Sequence, residues 1–321
     1  MVDKLSIDER IKLIKRNTIE IVNEHRIKEF MKKGVVYCGY ECSGEIHLGH
    51  LVTIIKLLDL QKAGIKVKVL LADWHTWLNQ KGDWDFVNKQ VKQWEKGMKS
   101  VGLNAEFIRG TSFQQKPAYV EDLLRMSLKT TINRGVRAMQ QVARDIENAK
   151  ISQVIYPLMQ VADVKALKTN FVVAGTDQRK IYMLGVDEGK EINLPEAVYL
   201  YTPLIPGLQG PGGKMSSSSP ESLISIRDKK IDIEKKINKA YCKVGDIENS
   251  PVLSIAKLIV LPKFEKIEIK RKKEFGGNIK YNSYKELEKD FESGKLHAAD
   301  LKSAIAEYLE KIIAPIRSKW R

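Results

Sequence analysis

The fold is decided by residues 35–72, which read VVYCGYECSGEIHLGHLVTIIKLLDLQKAGIKVKVLLA. Residues 35–40 are a short apolar run typical of a β-strand, and residues 51–63 repeat apolar side chains at the spacing of one helix face. Gly64 ends the helix, and residues 65–72 alternate apolar side chains with lysines before an apolar end. A strand, a helix and a strand in this order are the building block of a parallel, doubly wound sheet. We therefore predict an α/β fold built on a Rossmann-like, doubly wound parallel sheet.

The composition predicts a polyanionic partner. The chain of 321 residues has 55 Lys and Arg against 40 Asp and Glu, a net charge of +15, which favours binding of nucleic acid or a nucleotide. Three cysteines are too few for a disulfide framework and suit a reducing cytosol. Residues 1–17 are charged throughout, unlike a signal peptide, and no apolar run approaches the roughly 20 residues of a membrane span. We expect a cytoplasmic protein with no membrane partner.

The pattern of residues divides the chain into two domains and a loop. Strand and helix signals alternate through residues 1–202, and residues 106–108 and 170–174 are further strand candidates. We expect an insertion at about 82–130, because the alternation is interrupted over residues 82–116. Residues 203–220 are rich in Pro, Gly and Ser, which is typical of a mobile loop. Residues 221–321 are mostly helical in pattern and more basic per residue than the rest, so we predict an accessory nucleic-acid-binding domain. A solvated lysine-rich surface is the alternative.

The segment 41–50, ECSGEIHLGH, joins the first predicted strand to the first helix. In such a fold this turn faces the crevice at the carboxyl ends of the strands, where a helix N-terminus binds phosphate. His47 and His50 can donate hydrogen bonds to phosphate oxygens in a transition state. A histidine that only caps the helix is the alternative. A nucleotide can lie close to the backbone where side chains are absent, at Gly39, Gly44 and Gly49.

Zinc is a second interpretation of the same segment, with Cys38, Cys42, His47 and His50 as ligands. Zinc-finger ligand pairs are separated by about a dozen residues, so that the chain can fold around the metal. Only four residues separate Cys42 from His47. We therefore expect no structural zinc.

A second motif, GGKMSSS at residues 212–218, lies in the predicted loop. A lysine on a glycine-rich loop, followed by hydroxyl groups, can close over a polyphosphate and neutralise charge that develops on leaving pyrophosphate. Flexible linkers that contain a lysine are common, so this motif gains its weight from the His-x-Gly-His turn that precedes it in the chain.

Tyr156, Gln160 and Asp163 form a polar stripe at positions i, i+4 and i+7, on one face of a predicted helix with apolar neighbours. Polar groups that point into a cavity need partners. A ligand with an ammonium group and a phenol would supply them, and a solvated helix face is the alternative.

The residues His47-Leu48-Gly49-His50 resemble the HIGH signature of class I aminoacyl-tRNA synthetases, and residues Lys214–Ser218 resemble their KMSKS loop. The order and separation of the motifs fit the small tyrosyl and tryptophanyl branch. The resemblance covers nearly the whole chain and is closest to the short tyrosyl-tRNA synthetases of archaeal type. The chain departs from the family at Cys42, where proline is common, and at Trp74 and Trp77, which replace the usual Leu and Tyr.

The resemblance implies a reaction and its partners. The carboxylate of L-tyrosine would attack the α-phosphate of ATP to give tyrosyl-adenylate and pyrophosphate, and tyrosine would then move to the terminal ribose of tRNA(Tyr). Mg²⁺ would accompany ATP. The family also implies a homodimer formed through the 82–130 insertion, and a C-terminal domain that binds the anticodon.

The resemblance also implies the roles of individual residues. The groups at ATP would be Gly39, Ser43, Gly44, His47, Gly49, His50, Lys214, Met215 and Ser217, with His47, His50, Lys214, Ser216 and Ser217 as the catalytic set. Tyr37 and Asp163 would take the phenolic hydroxyl, Tyr156, Gln160 and Gln178 the α-amino group, and His75 and Gln114 would form walls of the pocket. Candidates for tRNA binding are Arg137, Arg179 and Lys180 at the acceptor end and Phe275, His297 and Asp300 at the anticodon.

Three other functions are consistent with parts of the sequence. A tryptophanyl-tRNA synthetase shares both motifs, but the acidic Asp163 with Tyr37 suits a phenol better than an indole. A cytidylyl-transferring enzyme also has His-x-Gly-His at a strand–helix turn, although it has no use for the basic C-terminal domain. A non-enzymatic RNA-binding paralogue would not need His47, His50 and Lys214.

Overall fold

The computed structural model describes residues 5–142, 147–217 and 219–320, except for the side chain of Phe275. The chain divides into two compact units. The first is drawn from residues up to Gly44 and from Lys56–Pro203, and the second from Glu45–Ile55 and the residues from Leu204 onward. The His47–His50 turn therefore belongs to the same unit as the Lys214 loop.

The first unit is built on a mixed sheet. Its strands are β1 (Glu20–Val22), β2 (Val35–Tyr40), β3 (Lys66–Leu71), β4 (Glu106–Arg109), β5 (Phe171–Gly175) and β6 (Val198–Thr202). Their order is β1-β6-β5-β2-β3-β4, and among the described strands all neighbours are parallel except β1 and β6. The chain extends the sheet from β2 through β3 to β4 and then returns to the other side of β2. This doubly wound order confirms the predicted Rossmann-like fold.

Helices connect these strands. They are α1 (Ile7–Lys15), α2 (Ile27–Phe30), α3 (Leu48–Lys62), α4 (Asp73–Leu78), α5 (Trp84–Val101), α6 (Pro117–Ser127), α7 (Ile132–Met139), α8 (Ile151–Ala166) and α9 (Arg179–Glu188). Helix α3 is divided between the units: its residues up to Ile55 belong to the second unit, and those from Lys56 onward belong to the first. Buried apolar side chains of β2, β5 and β6 form a core with α8 and α9.

The segment 84–109 differs from the sequence-based expectation. Helix α5 begins where the Asp83 side chain accepts the N–H of Phe86, ends at Gly102 with φ +100°, and leads into β4, which pairs in parallel with β3. This part of the predicted insertion therefore continues the alternation of strands and helices, and β4 lies where the sequence predicts a strand, at residues 106–108. The many lysines of α5 obscure, in the sequence, the regular apolar pattern of its buried face. That face includes Val87, Val91, Trp94 and Met98.

The second unit is mainly helical, as predicted. It contains α10 (Lys230–Lys239), α11 (Pro251–Ile255), α12 (Leu261–Phe264), α13 (Tyr284–Glu292), α14 (Ala298–Lys319) and an antiparallel pair of strands, β7 (Ile267–Ile269) and β8 (Ile279–Tyr281). A π-helical stretch, Ala256–Val260, joins α11 to α12. Helices α10 and α14 pack against each other. Among the described residues of the whole chain, no helix has the length and apolar character needed to cross a membrane.

Lys56 fixes the first helix to the sheet unit. Its side chain is 1% exposed, and its ammonium donates to the backbone carbonyls of Leu13 (3.1 Å), Ile14 and Arg16 (2.6 Å) at the end of α1. The three N–H groups of a lysine match these three acceptors, which have no intrahelical donor. Arg16 in turn forms an ion pair with Asp59 of α3.

We expect Lys56→Met to lower the free energy of unfolding by about 2–4 kcal/mol, because it leaves buried carbonyl groups without donors. Urea unfolding measures the change. Lys62→Met, at an exposed position of the same helix, is the matched control and should change stability by less than about 0.5 kcal/mol. Equal stabilities of the two variants would contradict the role of Lys56.

Candidate active site

The turn that contains His47 and His50 is paired with the segment that follows the Lys214 loop. The N–H of Leu48 donates to the carbonyl of Ile224 (3.0 Å), and the N–H of Ile226 donates to the carbonyl of Ile46 (3.0 Å). His47 forms an isolated antiparallel bridge with Ser225. These bonds fix the backbone of the turn before α3 begins.

Backbone hydrogen bonds set the tautomers of the two imidazoles. The N–H of Gly49 donates to Nδ1 of His47 (3.1 Å), and the N–H of His47 donates to Nδ1 of His50 (3.3 Å). Because each Nδ1 is an acceptor, the proton of each neutral ring is on Nε2. The ring centroids are 3.8 Å apart, so the two Nε2–H donors belong to one compact pair.

Both imidazoles are neutral at physiological pH. Burial, and to a smaller extent the charge of Lys214, lowers the pKa of His47 to about 3. Burial, followed by the effects of His47 and Lys214, lowers the pKa of His50 well below its ordinary value. The arrangement offers two neutral donors and one cation, which suits stabilisation of phosphate oxygens.

The loop that carries Lys214 is a hairpin. The N–H of Gly207 donates to the carbonyl of Gly213 (2.9 Å), and the N–H of Met215 donates to the carbonyl of Ile205 (2.9 Å). Lys214 is exposed and Met215 is buried. Ser216 and Ser217 follow in half-exposed positions, whereas Ser218 lies outside the described residues.

Gly49 is required by its surroundings. A Cβ at this position would lie 2.9 Å from Cε1 of His47 and 3.7 Å from Cβ of Met215. The first distance is shorter than two carbon atoms tolerate, so a side chain at position 49 would displace the imidazole. The structure thus brings together the predicted residues His47, Gly49, His50, Lys214 and Met215.

The other predicted ATP residues, Gly39, Ser43 and Gly44, belong to the first unit. The carbonyl of Gly44 accepts a hydrogen bond from Nε1 of Trp94 (2.7 Å). The N–H of Ser43 donates to the carbonyl of Glu41 (2.9 Å). A Cβ at Gly39 would lie 2.8 Å from the hydroxyl of Tyr37, so glycine leaves room for that phenol.

Asp163 is the centre of a buried polar cluster in the first unit. Its carboxylate accepts hydrogen bonds from Gln114 (2.7 Å), from the hydroxyl of Tyr119 (2.8 Å) and from the hydroxyl of Tyr37 (3.4 Å). Burial raises the pKa of Asp163 to about 7, although these hydrogen bonds act in the opposite direction. A carboxyl with a raised pKa among phenols and amides is a strong acceptor for a further O–H donor.

Two groups beside Asp163 have buried polar atoms without a hydrogen-bond partner among the described residues. They are both ring nitrogens of His75 and Oε1 of Gln114. Nε2 of His75 is 3.7 Å from Oδ2 of Asp163, but burial lowers the pKa of His75 to about 3, so the two do not form an ion pair. Buried polar atoms are nearly always paired, and a hydroxyl group, which donates and accepts, would complement them.

The predicted α-amino residues adjoin this cluster. Gln160 donates to Oε1 of Gln178 (3.3 Å). The ring of Tyr156 contacts that of His75 at a centroid distance of 4.6 Å. Burial, and next the carboxylate of Glu41, raises the pKa of Tyr156 well above its ordinary value.

Sequence reasoning missed three residues of this cluster. Tyr119 bonds to Asp163, and Tyr182 hydrogen-bonds with Tyr37 and Gln160. Glu41 hydrogen-bonds with Tyr156 and accepts from Asn79. Glu41 could have been predicted from the sequence because it directly follows β2, and ligand sites of this fold occur at the carboxyl ends of the strands. Nothing in the local pattern separates Tyr119 or Tyr182 from core tyrosines.

The candidate tRNA residues are in surface positions. Arg137 of α7 is exposed, Arg179 of α9 forms two hydrogen bonds with Glu20 (2.6 and 2.7 Å), and Lys180 donates to Gln140 (2.8 Å). In the second unit, Nδ1 of His297 accepts the N–H of Ala299 (3.2 Å) as the cap of α14, and Asp300 lies in the first turn of that helix. The side chain of Phe275 lies outside the described residues.

Comparison with known proteins places this site in a family. A model of the tRNA synthetases of class I, tryptophan and tyrosine branch, matches residues 29–314. The chain belongs to this family. This confirms the family that the resemblance predicts. We keep the names HIGH turn for residues His47–His50 and Lys214 loop for the hairpin that carries Lys214.

Individual members of the family match over their whole length. A tyrosine–tRNA ligase from Archaeoglobus fulgidus is 43% identical over 321 residues, 98% of each chain. One from Methanocaldococcus jannaschii is 42% identical over 314 residues, 97% of this chain and 99% of that one. The solved tyrosyl-tRNA synthetase from A. fulgidus, complexed with L-tyrosine, has a TM-score of 0.94 at 42% identity and covers 98% of this chain and 100% of that one. Its counterpart from Pyrococcus horikoshii, also complexed with L-tyrosine, has a TM-score of 0.90 at 31% identity, with coverage of 98% and 96%.

The raised pKa of Asp163 predicts an unusual pH dependence of stability. The pKa is about 7 in the folded protein and 3.8 ordinarily, so the folded state holds the proton more tightly. Stability that is present below about pH 4 is lost as the pH rises through about 7. Asp163→Asn cannot ionise, so its free energy of unfolding relative to the wild type should increase between about pH 4 and 7.

Urea unfolding of the free protein at a series of pH values measures this difference. Glu248→Gln, at an exposed position, is the control and should follow the wild type at every pH. A difference between Asp163→Asn and the wild type that stays constant with pH would show that Asp163 does not ionise in this window.

Proposed function

We propose that the chain is a tyrosyl-tRNA synthetase, which activates L-tyrosine with ATP and transfers it to tRNA(Tyr). The observation that carries the proposal is the buried Asp163 with Tyr37 beside it, since an acidic acceptor pairs with a phenolic O–H and has no equivalent partner on an indole. The tyrosine–tRNA ligases that match the chain over its whole length support the same amino acid.

Different residues of the pocket would bind the two ends of the amino acid. Asp163 and Tyr37 take the phenolic hydroxyl, with His75 and Gln114 beside them as polar walls. The α-amino group is taken by Tyr156, Gln160 and Gln178. A site that pairs a hydroxyl rejects phenylalanine because its own buried polar atoms would lose their partner, an effect for which a tyrosyl enzyme is itself the standard example.

Activation would require no protein nucleophile. A bond forms between a carboxylate oxygen of tyrosine and the α-phosphorus of ATP, and the bond from that phosphorus to the bridging oxygen breaks, with its electron pair leaving on pyrophosphate. His47 and His50 donate their Nε2–H groups to phosphate oxygens without a change of protonation state. Lys214, with Ser216 and Ser217, stabilises the departing pyrophosphate. The remaining residues that contact ATP are Gly39, Ser43, Gly44, Gly49 and Met215. Mg²⁺ arrives as part of the Mg·ATP substrate.

The second step would transfer tyrosine from the adenylate to the terminal ribose of tRNA. Arg137, Arg179 and Lys180 contact the acceptor end, and Phe275, His297 and Asp300 contact the anticodon. The net charge of +15 predicts that tRNA binding weakens as salt increases. The 203–220 loop moves with nucleotide binding, and we expect the enzyme to act in the cytoplasm.

Amino-acid-dependent exchange between ATP and labelled pyrophosphate tests the proposal. We expect exchange with L-tyrosine and none with L-tryptophan. Asp163→Asn should lower kcat/KM for tyrosine by roughly 10–200-fold, the value of a hydrogen bond to a charged group, with KM for ATP unchanged. Glu248→Gln serves again as the control.

The opposite outcome, exchange with tryptophan alone, would overturn the choice of amino acid. Exchange with neither amino acid, together with tRNA binding that Lys214→Ala does not affect, would favour the non-enzymatic paralogue.

We also propose that the protein is a homodimer through the α6–α7 surface. Large apolar side chains are exposed there at helical spacing, with exposed fractions of 41% for Val120, 62% for Leu124, 83% for Leu128 and 72% for Ile132. An apolar surface of this kind marks a protein interface. The family implies an interface through the 82–130 insertion, which includes α6.

Leu124→Glu with Leu128→Glu should convert the dimer to a monomer, because burying two carboxylates at a self-paired surface places like charges together. Light scattering after size-exclusion chromatography measures the mass. Val186→Glu, at a position 48% exposed elsewhere in the same unit, should leave the mass unchanged. A wild-type protein that is already monomeric would refute the dimer.

A further inference from the structure

The segment Ser225–Asp228 contacts the HIGH turn on one side. Ser225 forms the antiparallel bridge with His47, and its side chain is 1% exposed. The hydroxyl of Ser225 donates to the carboxylate of Glu45 (2.6 Å), the residue with which the turn enters the second unit. The position of the His47 backbone therefore depends on the position of Ser225.

The same segment is closed by its own polar groups. The carboxylate of Asp228 accepts the N–H of Ser225 (3.0 Å), and the hydroxyl of Ser225 accepts the N–H of Arg227 (3.1 Å). Lys236 of α10 also donates to Asp228 (2.6 Å). The segment thus behaves as one short rigid turn, so that a displacement of Asp228 also displaces Ser225.

The last turn of α14 contacts this segment on its other side. The guanidinium of Arg317 donates to the backbone carbonyl of Asp228. It also forms an ion pair with Glu310, two turns earlier in the helix (2.7 Å). Arg317 and Glu310 are 27% and 21% exposed, so the pair is largely shielded from solvent. A planar guanidinium that bridges two acceptors has a fixed direction.

A second, more exposed contact joins the HIGH turn, the Ser225–Asp228 segment and the end of α14. Arg227 forms an ion pair with Glu45 (3.3 Å), and its guanidinium lies 5.5 Å from the centre of the Trp320 ring, just beyond α14. The ion pair is half-exposed and contributes little by itself. Together with Arg317, however, it means that α14 reaches the HIGH turn by two separate routes.

We propose that Arg317 is a positioning residue for the HIGH turn. Arg317 fixes Asp228, Asp228 fixes Ser225, and Ser225 fixes the backbone from which His47 and His50 extend. The hydrogen bonds of the Arg317 side chain among the described residues go to Asp228 and Glu310, so it acts through these groups and not through the imidazoles. Its effect on the reaction is to keep the two Nε2–H donors where phosphate charge develops, and this inference rests on the proposed function.

Arg317 also connects the HIGH turn to the opposite end of α14. Helix α14 has 22 residues and spans about 33 Å. His297 caps its first turn and Arg317 lies in its last. One continuous helix therefore joins the residues proposed for the anticodon to the segment that holds the HIGH turn.

The test is the tyrosine-dependent exchange reaction of the full chain with Arg317→Met, at a temperature well below unfolding. Active sites are counted from the burst of tyrosyl-adenylate formed from ATP, so that a loss of folded protein does not alter the result. We expect kcat per active site to fall about tenfold, since small displacements of catalytic groups are costly. KM for tyrosine should not change, because the tyrosine pocket belongs to the other unit. Arg317→Lys, which keeps one donor, should recover part of the loss.

Lys302→Met is the matched control. Lys302 also extends from α14 to a backbone carbonyl, that of Asn238 at 3.0 Å, but at the end of α10 and not at the HIGH turn. Its kcat per active site should equal that of the wild type. If Arg317→Met does not yield folded protein, Arg227→Gln tests the second route, with a smaller fall in kcat in the same direction.

The outcomes separate this inference from the proposed function. Wild-type exchange with tyrosine, together with an Arg317→Met variant whose kcat per active site equals that of Lys302→Met, would overturn the positioning role alone. A fall in kcat with an equal rise in KM for tyrosine would also overturn it, since a general loosening of the fold would then be the cause. Absence of tyrosine exchange in the wild type would refute the proposed function itself.

Discussion

The site depends on the parallel pairing of β2 with both β3 and β5. Strand β2 is the point from which the sheet extends in two directions, so the connections that leave β2 and β5 diverge to opposite faces. Such a divergence opens a crevice at the carboxyl ends of the two strands. Tyr37 lies on β2, Glu41 directly follows it, and Gln178 follows β5. Register between these strands therefore determines whether the groups proposed for tyrosine meet.

Local patterns predicted the parts of the molecule that local rules determine. The strand–helix–strand order is recorded in the spacing of apolar residues over 35–72, and the structure has β2, α3 and β3 there. The HIGH turn and the Lys214 loop could be recognised because their function depends on a few adjacent residues. The stripe Tyr156, Gln160 and Asp163 was visible because helical spacing alone places these residues on one face, and all three are buried.

Local sequence patterns could not predict the contacts between distant segments. Tyr119 reaches Asp163 from a helix 44 residues away in sequence, and no spacing rule connects the two. The assignment of residues 84–109 to an insertion had a different cause, since the exposed lysines of α5 conceal the regular apolar face beneath them. The inclusion of the HIGH turn in the second unit follows from its pairing with residues 224–226, a contact made across about half the chain.

The uncharged state of the histidines separates two electrostatic tasks. His47 and His50 are kept neutral by burial and by a cation beside them, so they orient donors without adding charge. The positive charge itself is on the exposed Lys214, which a hairpin presents. Under the proposed function, Lys214 on its hairpin approaches and withdraws with the nucleotide, whereas the buried imidazoles keep a fixed place. The hydrogen-bond donors with a fixed direction and the positive charge therefore belong to different residues.

The buried carboxyl of Asp163 has a consequence outside catalysis. An ionised carboxylate in this buried cluster weakens the free protein near neutral pH. A ligand that donates a hydrogen bond to it in the pocket binds only the folded form. The amino acid would then act as a folding ligand as well as a substrate.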